Sequence, residues 1–447
     1  MLGERAVVCG AGMAGLLAAK VLSDFYESVV LVERDRLPDT AAQRRGVPQG
    51  RHFHALMSRG SQELDRLFPG LLDELAAAGA TVCDDGGLSR VSMWVGGHEL
   101  NRSGTFADPA GAVMYLVSRP FLESHVRRRV RAIANVVVTD GHDVVEPIGG
   151  PNRVTGVRAV NRDTGAQKVF DTELVVDAMG RGARTPMLLD NRGYGRPIEN
   201  RAVMHGSYSS QFLRIPPGMV AEKLTFVFPE SKRGTGGVLA AYENGTWLFT
   251  VGRVDGGELP GDLASMIGLA AEFMPPGLVA AVKAGESRGE VCVAHNIRGV
   301  WRRYDKMPAF PAGLLVFGDA ICSLNPIYGQ GMTVAALEAV ALRDCLSGGD
   351  ADLSLRFFRA AAGLIRPLWS YNQARDRYMC PDGSISQWLI NWRMDKRVAA
   401  AENDPAMTER IFRVGQLIDP PSVLLRPSWM RRVGLRAVNG FRTSLPS

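Results

Sequence analysis

The stretch Arg5–Glu33, RAVVCGAGMAGLLAAKVLSDFYESVVLVE, decides the fold class of this chain. A short apolar strand, Ala6 to Cys9, runs into Gly10, Gly12 and Gly15, and a helix then carries Ala14, Leu17, Ala18 and Val21 on one face. A second apolar strand, Val29 to Val32, ends in Glu33. Each part has a mechanical reason. Gly10 permits a tight turn, Gly12 lets backbone approach a pyrophosphate, and Gly15 lets helix and strand pack closely. The helix N-terminus offers free N–H groups to phosphates, and Glu33 is placed to accept hydrogen bonds from a ribose diol. Glycine-rich turns are common in a chain with 50 glycines, so the weight rests on strand, helix and terminal acid lying in register. The expectation is an α/β chain with a Rossmann-like dinucleotide domain. The motif alone does not separate FAD from NAD, and Arg34 leaves room for a 2′-phosphate.

At 447 residues, 46% hydrophobic and 22% charged, the chain has room for two or three structural units and a large core. Its formal net charge of +6 is concentrated at the end: Arg426, Arg431, Arg432, Arg436 and Arg442 follow Pro421 with no acid among them. Without that tail the chain is close to neutral, so nucleic acid is not an expected partner. Trp429, Val433, Ala437 and Phe441 recur every four residues within the tail, near one helical face. Two readings of it stand: a basic helix docked on the body of the protein, or peripheral contact with a membrane. Cys9, Cys83, Cys292, Cys322, Cys345 and Cys380 are scattered without zinc-like pairing, so no metal is expected and reduced thiols in the cytoplasm are the natural reading. The apolar run Val7 to Leu22 has no cleavage site after it, and nothing else is long and uncharged enough to span a bilayer.

Leu315–Ala339, LVFGDAICSLNPIYGQGMTVAALEA, has a strand-like start, one carboxylate where the strand stops, a proline, and a Gly-Gln-Gly opening a helix. Gly318 and Asp319, then Pro326, Gly329, Gly331 and Met332, resemble the "GD" flavin motif of the p-hydroxybenzoate hydroxylase superfamily, the single-component FAD monooxygenases. The resemblance implies that Asp319 bonds the ribityl chain and that the following helix points N–H groups at the pyrimidine edge of the flavin. A reduced flavin is negative at that edge, which a helix N-terminus favours. Ser118–Glu123, SRPFLE, resembles the superfamily's S-R-x-x-L-E helix start, whose arginine, here Arg119, reaches FAD. Leu174–Leu189 looks like its "DG" segment, with Asp177-Ala178 in place of Asp-Gly and Gly180 and Arg181 displaced. Arg44–Gly60, RRGVPQGRHFHALMSRG, falls where the superfamily places a loop beside the flavin ring, and the resemblance assigns Arg45 to the cofactor. Together with "NPIYGQGM" this loop is similar to bacterial flavin-dependent epoxidases acting on polyene precursors of polyethers. His52 and His54 invite a catalytic or covalent-flavin reading, and bracing of the loop is the preferred one for each. The resemblance fades beyond about residue 350.

A glutathione-reductase-type FAD domain is therefore expected from 1–80, 110–190 and 301–348, a mainly antiparallel substrate sheet from 81–109 and 191–300, and a helical C-terminal region from 349–447. "RVSMWVGGHEL" reads as a hairpin closed by Gly96-Gly97, and "GGVLAAYENGTWLFTVGRV" as one closed by Asn244-Gly245. Trp94, Met204, Tyr208, Tyr242, Trp247 and Phe249 are candidate walls of a substrate pocket. The family chemistry implied is reduction of FAD by NADPH or NADH, addition of O2 at C4a to give a hydroperoxide, and transfer of one oxygen to an apolar, alkene-containing substrate. Alkene epoxidation needs no base, and none is named. A flavin-dependent reductase or dehydrogenase of a lipid-like or polyketide substrate, and a non-catalytic flavoprotein binding a lipid-like ligand, are the alternatives. The W-x-W-x-I-P segment of flavin-dependent halogenases is absent.

Overall fold

Three layers enclose the first strand. The computed structural model describes residues 1–86, 88–254, 256–381 and 384–426. Its parallel sheet has five strands in the spatial order Leu314–Val316, Leu174–Asp177, Gly3–Cys9, Tyr26–Val32 and Val136–Thr139. Side chains alternate across a strand, and here both sides are buried. Ala6 and Val8 join Leu16, Leu17, Leu31 and Val176 in the larger core, under the helices Met13–Leu22, Arg119–Arg131 and Gly331–Ser347. Val7 and Cys9 face the other way, against Val154, Val157, Ala159 and Phe170 of a three-stranded antiparallel sheet. Burial on both faces explains why these strands read as continuous apolar runs.

A second, eight-stranded sheet runs Cys322–Ser323, Glu286–Arg302, Glu199–Arg214, Trp247–Arg253, Thr235–Ala241, Leu224–Val227, Val91–Val95 and His98–Glu99. Both expected hairpins lie in it. Gly96 and Gly97 at φ 60° and 82°, and Asn244 and Gly245 at φ 56° and 71°, adopt the left-handed pair that a tight hairpin demands. One face of this sheet packs Leu213, Leu239, Phe249 and Val251 against the helices Leu263–Ala270 and Pro276–Lys283. The opposite face looks toward the parallel sheet. Among the described residues after 348 the helices are Leu353–Met379, Ile385–Ala401 and Pro405–Gly415. The first of these buries Phe357, Phe358, Ile365 and Trp369 in the larger core. Among the described residues no helix is long and apolar enough to cross a membrane. The repeat Trp429, Val433, Ala437 and Phe441, with four of the five tail arginines, lies outside the described residues.

Candidate functional site

Between the two sheets lies a cavity of about 1400 Å³. A pocket for one drug-sized ligand is about 300–1,000 Å³, so this one has space for a dinucleotide and a second molecule. One end is the C-terminal edge of the parallel sheet, where Gly10, Gly12, Glu33 and Arg34 line it. Gly10, at φ 98°, turns the chain, and a β-carbon there would stand 2.8 Å from Ala178 O. Gly15 lies below the turn and off the cavity wall; a β-carbon on it would stand 1.8 Å from Gly10 O. Gly12 caps the helix Met13–Leu22. A β-carbon on Gly12 would meet only Arg119 Nη2 at 3.8 Å and Arg44 Nη2 at 4.0 Å. An open space at a helix N-terminus, bounded by two guanidinium groups, fits an anionic pyrophosphate.

The helix carrying Arg119 starts where its Ser118 hydroxyl accepts from Phe121 N, an N-cap followed by a proline. Arg119 is buried and bonds Glu123, at 3.1 Å from Nε and from Nη2. Of the adjacent loop arginines, the buried one is Arg44; Arg45, expected at the cofactor, is exposed, although it also borders the cavity. Arg44 binds Glu123 at 2.7 Å, Asp35 at 3.2 Å and Glu33 at 3.3 Å, and donates to Ala11 O at 3.0 Å. Glu33 Oε2 accepts from Ala11 N at 2.7 Å and Oε1 from Asp35 N at 3.0 Å, which fixes the carboxylate and leaves further lone pairs for a ribose. Arg34 lies at the surface, 3.5 Å from Asp143. No period in the loop signals Arg44 over Arg45; what marks it is the convergence of Glu33 and Asp35 from the preceding segment and of Glu123 from a helix distant in sequence.

The far side of the cradle is the segment after the strand Leu314–Val316. Asp319, Pro326, Gly329, Gly331 and Met332 all line the cavity, and Gly318 lies just beneath it. Gly329 takes φ 64°, letting the chain reverse into the helix Gly331–Ser347. The Asp319 carboxylate stands beside that helix start, with Oδ1 3.7 Å from the β-position of Gly331. Burial lifts its pKa against the pull of Arg119 and Arg181, and it has no hydrogen-bond partner among the described residues. Gly318 N donates to Glu338 Oε2 at 2.8 Å, while Glu338 Oε1 is buried without a partner. Burial pushes the Glu338 carboxyl up to about 8, with Asp319 adding to the effect. Asp177 accepts from Met179 N at 3.0 Å and from the Thr185 hydroxyl, bracing the turn that follows its strand.

The opposite wall belongs to the eight-stranded sheet. Phe226, Val238, Thr250 and Cys292 form one row of directly paired positions facing inward with Ser210. Gly236, Gly252, Tyr208 and Ala294 form the next. Tyr208 is the one expected wall residue among those lining the cavity. Trp247 and Phe249 lie on the rear face, packed on the two short helices, because alternation sends 247, 249 and 251 away from Thr250. Trp94 contacts that same rear cluster. Met204 packs against Tyr328, Tyr378 and Met379. Tyr242 is buried in a cluster with Leu248, its hydroxyl donating to His54 O at 2.7 Å and accepting from His54 N at 2.8 Å. These five are core residues. His52 and His54 both line the cavity, and burial holds each imidazole down to about 4.

No family model matches the chain. It is 37% identical over 449 residues to protein Rv3254 of Mycobacterium tuberculosis, covering 95% of this chain and 91% of that protein. Among solved structures it resembles a flavoprotein/dehydrogenase from Cytophaga hutchinsonii, with a TM-score of 0.69, 15% identity and 96% of each chain covered. It also resembles p-nitrophenol 4-monooxygenase PnpA from Pseudomonas putida, with a TM-score of 0.65, 16% identity, and 94% of this chain and 100% of that chain covered. At such identities the likeness is one of fold: this chain has the architecture of FAD-binding, Rossmann-type monooxygenases.

Proposed function

This chain belongs to the family of protein Rv3254 of Mycobacterium tuberculosis, and we propose that it is an FAD-dependent monooxygenase acting on an apolar, alkene-containing substrate, as an epoxidase or hydroxylase. The observation that carries the reading is continuity: one cavity runs from the glycine turn at Gly10 and Gly12 to the inward face of the eight-stranded sheet. The helix start at Gly12, with Arg44 and Arg119, suits the pyrophosphate, and Glu33 suits the adenosine ribose. Asp319 is the acceptor for the ribityl hydroxyls, and the helix starting at Gly331 presents its positive end to the flavin's pyrimidine edge. FAD, when bound, supplies the redox chemistry, taking electrons from NADH or NADPH and passing them to O2.

What the remaining residues contribute is shape and dryness. Phe226, Val238 and Ile297 border the sheet side. Such a wall excludes water from a reactive oxygen species and accepts an apolar chain. Purified protein should be yellow, oxidation of NADH or NADPH should consume O2, and mass spectrometry should find a polyene substrate gaining one oxygen atom. Substrate reduction without O2 uptake would replace this reading with that of a flavin-dependent reductase.

A further inference from the structure

We propose that His52, Ser210 and Thr250 form a proton relay with both ends in the cavity, and that His52 Nε2 is the group that exchanges a proton with bound reactants. The relay deepens the monooxygenase reading by naming its proton-handling residue. His52 Nδ1 lies 2.9 Å from Ser210 Oγ, and Ser210 Oγ lies 2.7 Å from Thr250 Oγ1. Ser210 and Thr250 are directly opposite on paired antiparallel strands, so their hydroxyls share one face. His52 and Thr250 line the cavity, whereas Ser210, 1% exposed, is the covered link between them.

The imidazole is held from several sides. The edge of Tyr208 meets its ring at 4.6 Å between centroids. His54 Nδ1 bonds His52 O at 3.0 Å, and the Tyr242 hydroxyl fixes the backbone of His54. Charged and titratable groups around it include Arg51, His54 and Tyr208, with Cys292 bonded to Arg51 and paired across the sheet with Ser210. Burial and the adjacent Arg51 keep the ring neutral at ordinary pH. A neutral imidazole has one proton and two tautomers, and this chain of hydroxyls couples them. When Nε2 takes a proton from the cavity, Nδ1 passes its own to Ser210 Oγ. Ser210 gives its hydroxyl proton to Thr250 Oγ1, and Thr250 releases its own into the cavity. One proton is moved, the protein's charge is unchanged and no electron moves; the reverse order is equally balanced. Ser210 and Thr250 are positioning residues that act through His52.

The test uses the full chain labelled with 15N-histidine, in the wild type, Thr250→Val and Thr250→Ser. Between about pH 5 and 8 the His52 nitrogens should report a neutral ring exchanging between tautomers. Thr250→Val keeps the His52–Ser210 bond but removes the far end, and should freeze one tautomer; Thr250→Ser should restore exchange. With FAD bound and photoreduced, reoxidation by O2 should slow on the order of 10- to 100-fold in Thr250→Val and in His52→Gln, at unchanged flavin content, and recover in Thr250→Ser. An imidazole that titrates near the ordinary value of about 6.5, or a Thr250→Val protein matching wild type in both measurements, overturns the relay. Failure of the wild type to bind FAD instead removes the monooxygenase reading and leaves the tautomer result standing.

Discussion

Arg44 Nε donates to Glu123 Oε1 at 2.7 Å inside the protein, joining the loop after the second strand to the helix Arg119–Arg131. Glu123 also faces Arg119 at 3.1 Å and Arg127 at 3.6 Å. Burial opposes charge on this carboxylate, yet Arg119 and Arg44 hold its pKa below the ordinary value. Removing one partner of a buried ion pair strands the others and costs about 3–5 kcal/mol. Glu123→Ala should lose about that much in urea denaturation near neutral pH. The sign of its pH dependence follows from the lowered pKa. The stabilisation is present above the unfolded value of about 4.3 and disappears as pH falls through the folded one, so Glu123→Gln and wild type should converge in strong acid.

Gly12 and Gly15 separate cofactor binding from folding. A methyl at Gly15 would stand 1.8 Å from the backbone oxygen of Gly10, which cannot yield cheaply. Gly15→Ala should fail to fold or melt far below wild type. Gly12 has an unexceptional φ of −72° and only the flexible ends of two arginines near its β-position. Gly12→Ala should keep the thermal midpoint of the apoprotein while losing FAD affinity in a fluorescence titration. Wild-type affinity in that variant would show that the pyrophosphate lies elsewhere.

At Asp319 burial disfavours the charged carboxylate more than Arg119 and Arg181 favour it. Its removal therefore should not weaken the apoprotein. Asp319→Ala is expected to melt at or above the wild-type temperature and to bind FAD more weakly by about 1–3 kcal/mol, the cost of one buried hydrogen bond.

Glu338 carries the opposite pH signature to Glu123. Its folded pKa of about 8 lies above the unfolded value, so the folded state prefers the protonated acid. The stability it confers is complete below about pH 4.3 and is lost as pH rises through about 8. Glu338→Gln, which cannot ionise, should raise the melting temperature relative to wild type more in mild alkali than in mild acid. Equal differences at both pH values would place the ionised carboxylate in a better-solvated setting.

The cradle was legible because residue identity there repeats what the backbone needs. Gly10 and Gly329 take positive φ, and Gly12 stands where a side chain would obstruct a ligand. The two hairpins were legible for the same reason. The cavity walls were not, because the strand Trp247–Arg253 is covered on both faces, by short helices behind and by the cavity and neighbouring core in front. Alternation then reports burial without saying which partner does the burying, and Phe249 looks as good a wall as Thr250. Periodicity does not separate Arg44 from Arg45, because a loop has no period from which to tell an inward arginine from its outward neighbour. For His52 the sequence allows a catalytic or a bracing reading and its bond to Ser210 is compatible with either; the second hydroxyl, Thr250, becomes visible only once the strands are paired.

The strand Leu314–Val316 pairs with Leu174–Asp177, and the cavity's lining runs from Cys9 to Ala335. A ribosome making this chain therefore releases the first glycine turn long before the segment that closes over it from the other side. On the proposed function, the cradle is complete only once roughly the first three quarters of the polypeptide has been made, and a product terminated before Asp319 carries one side of it.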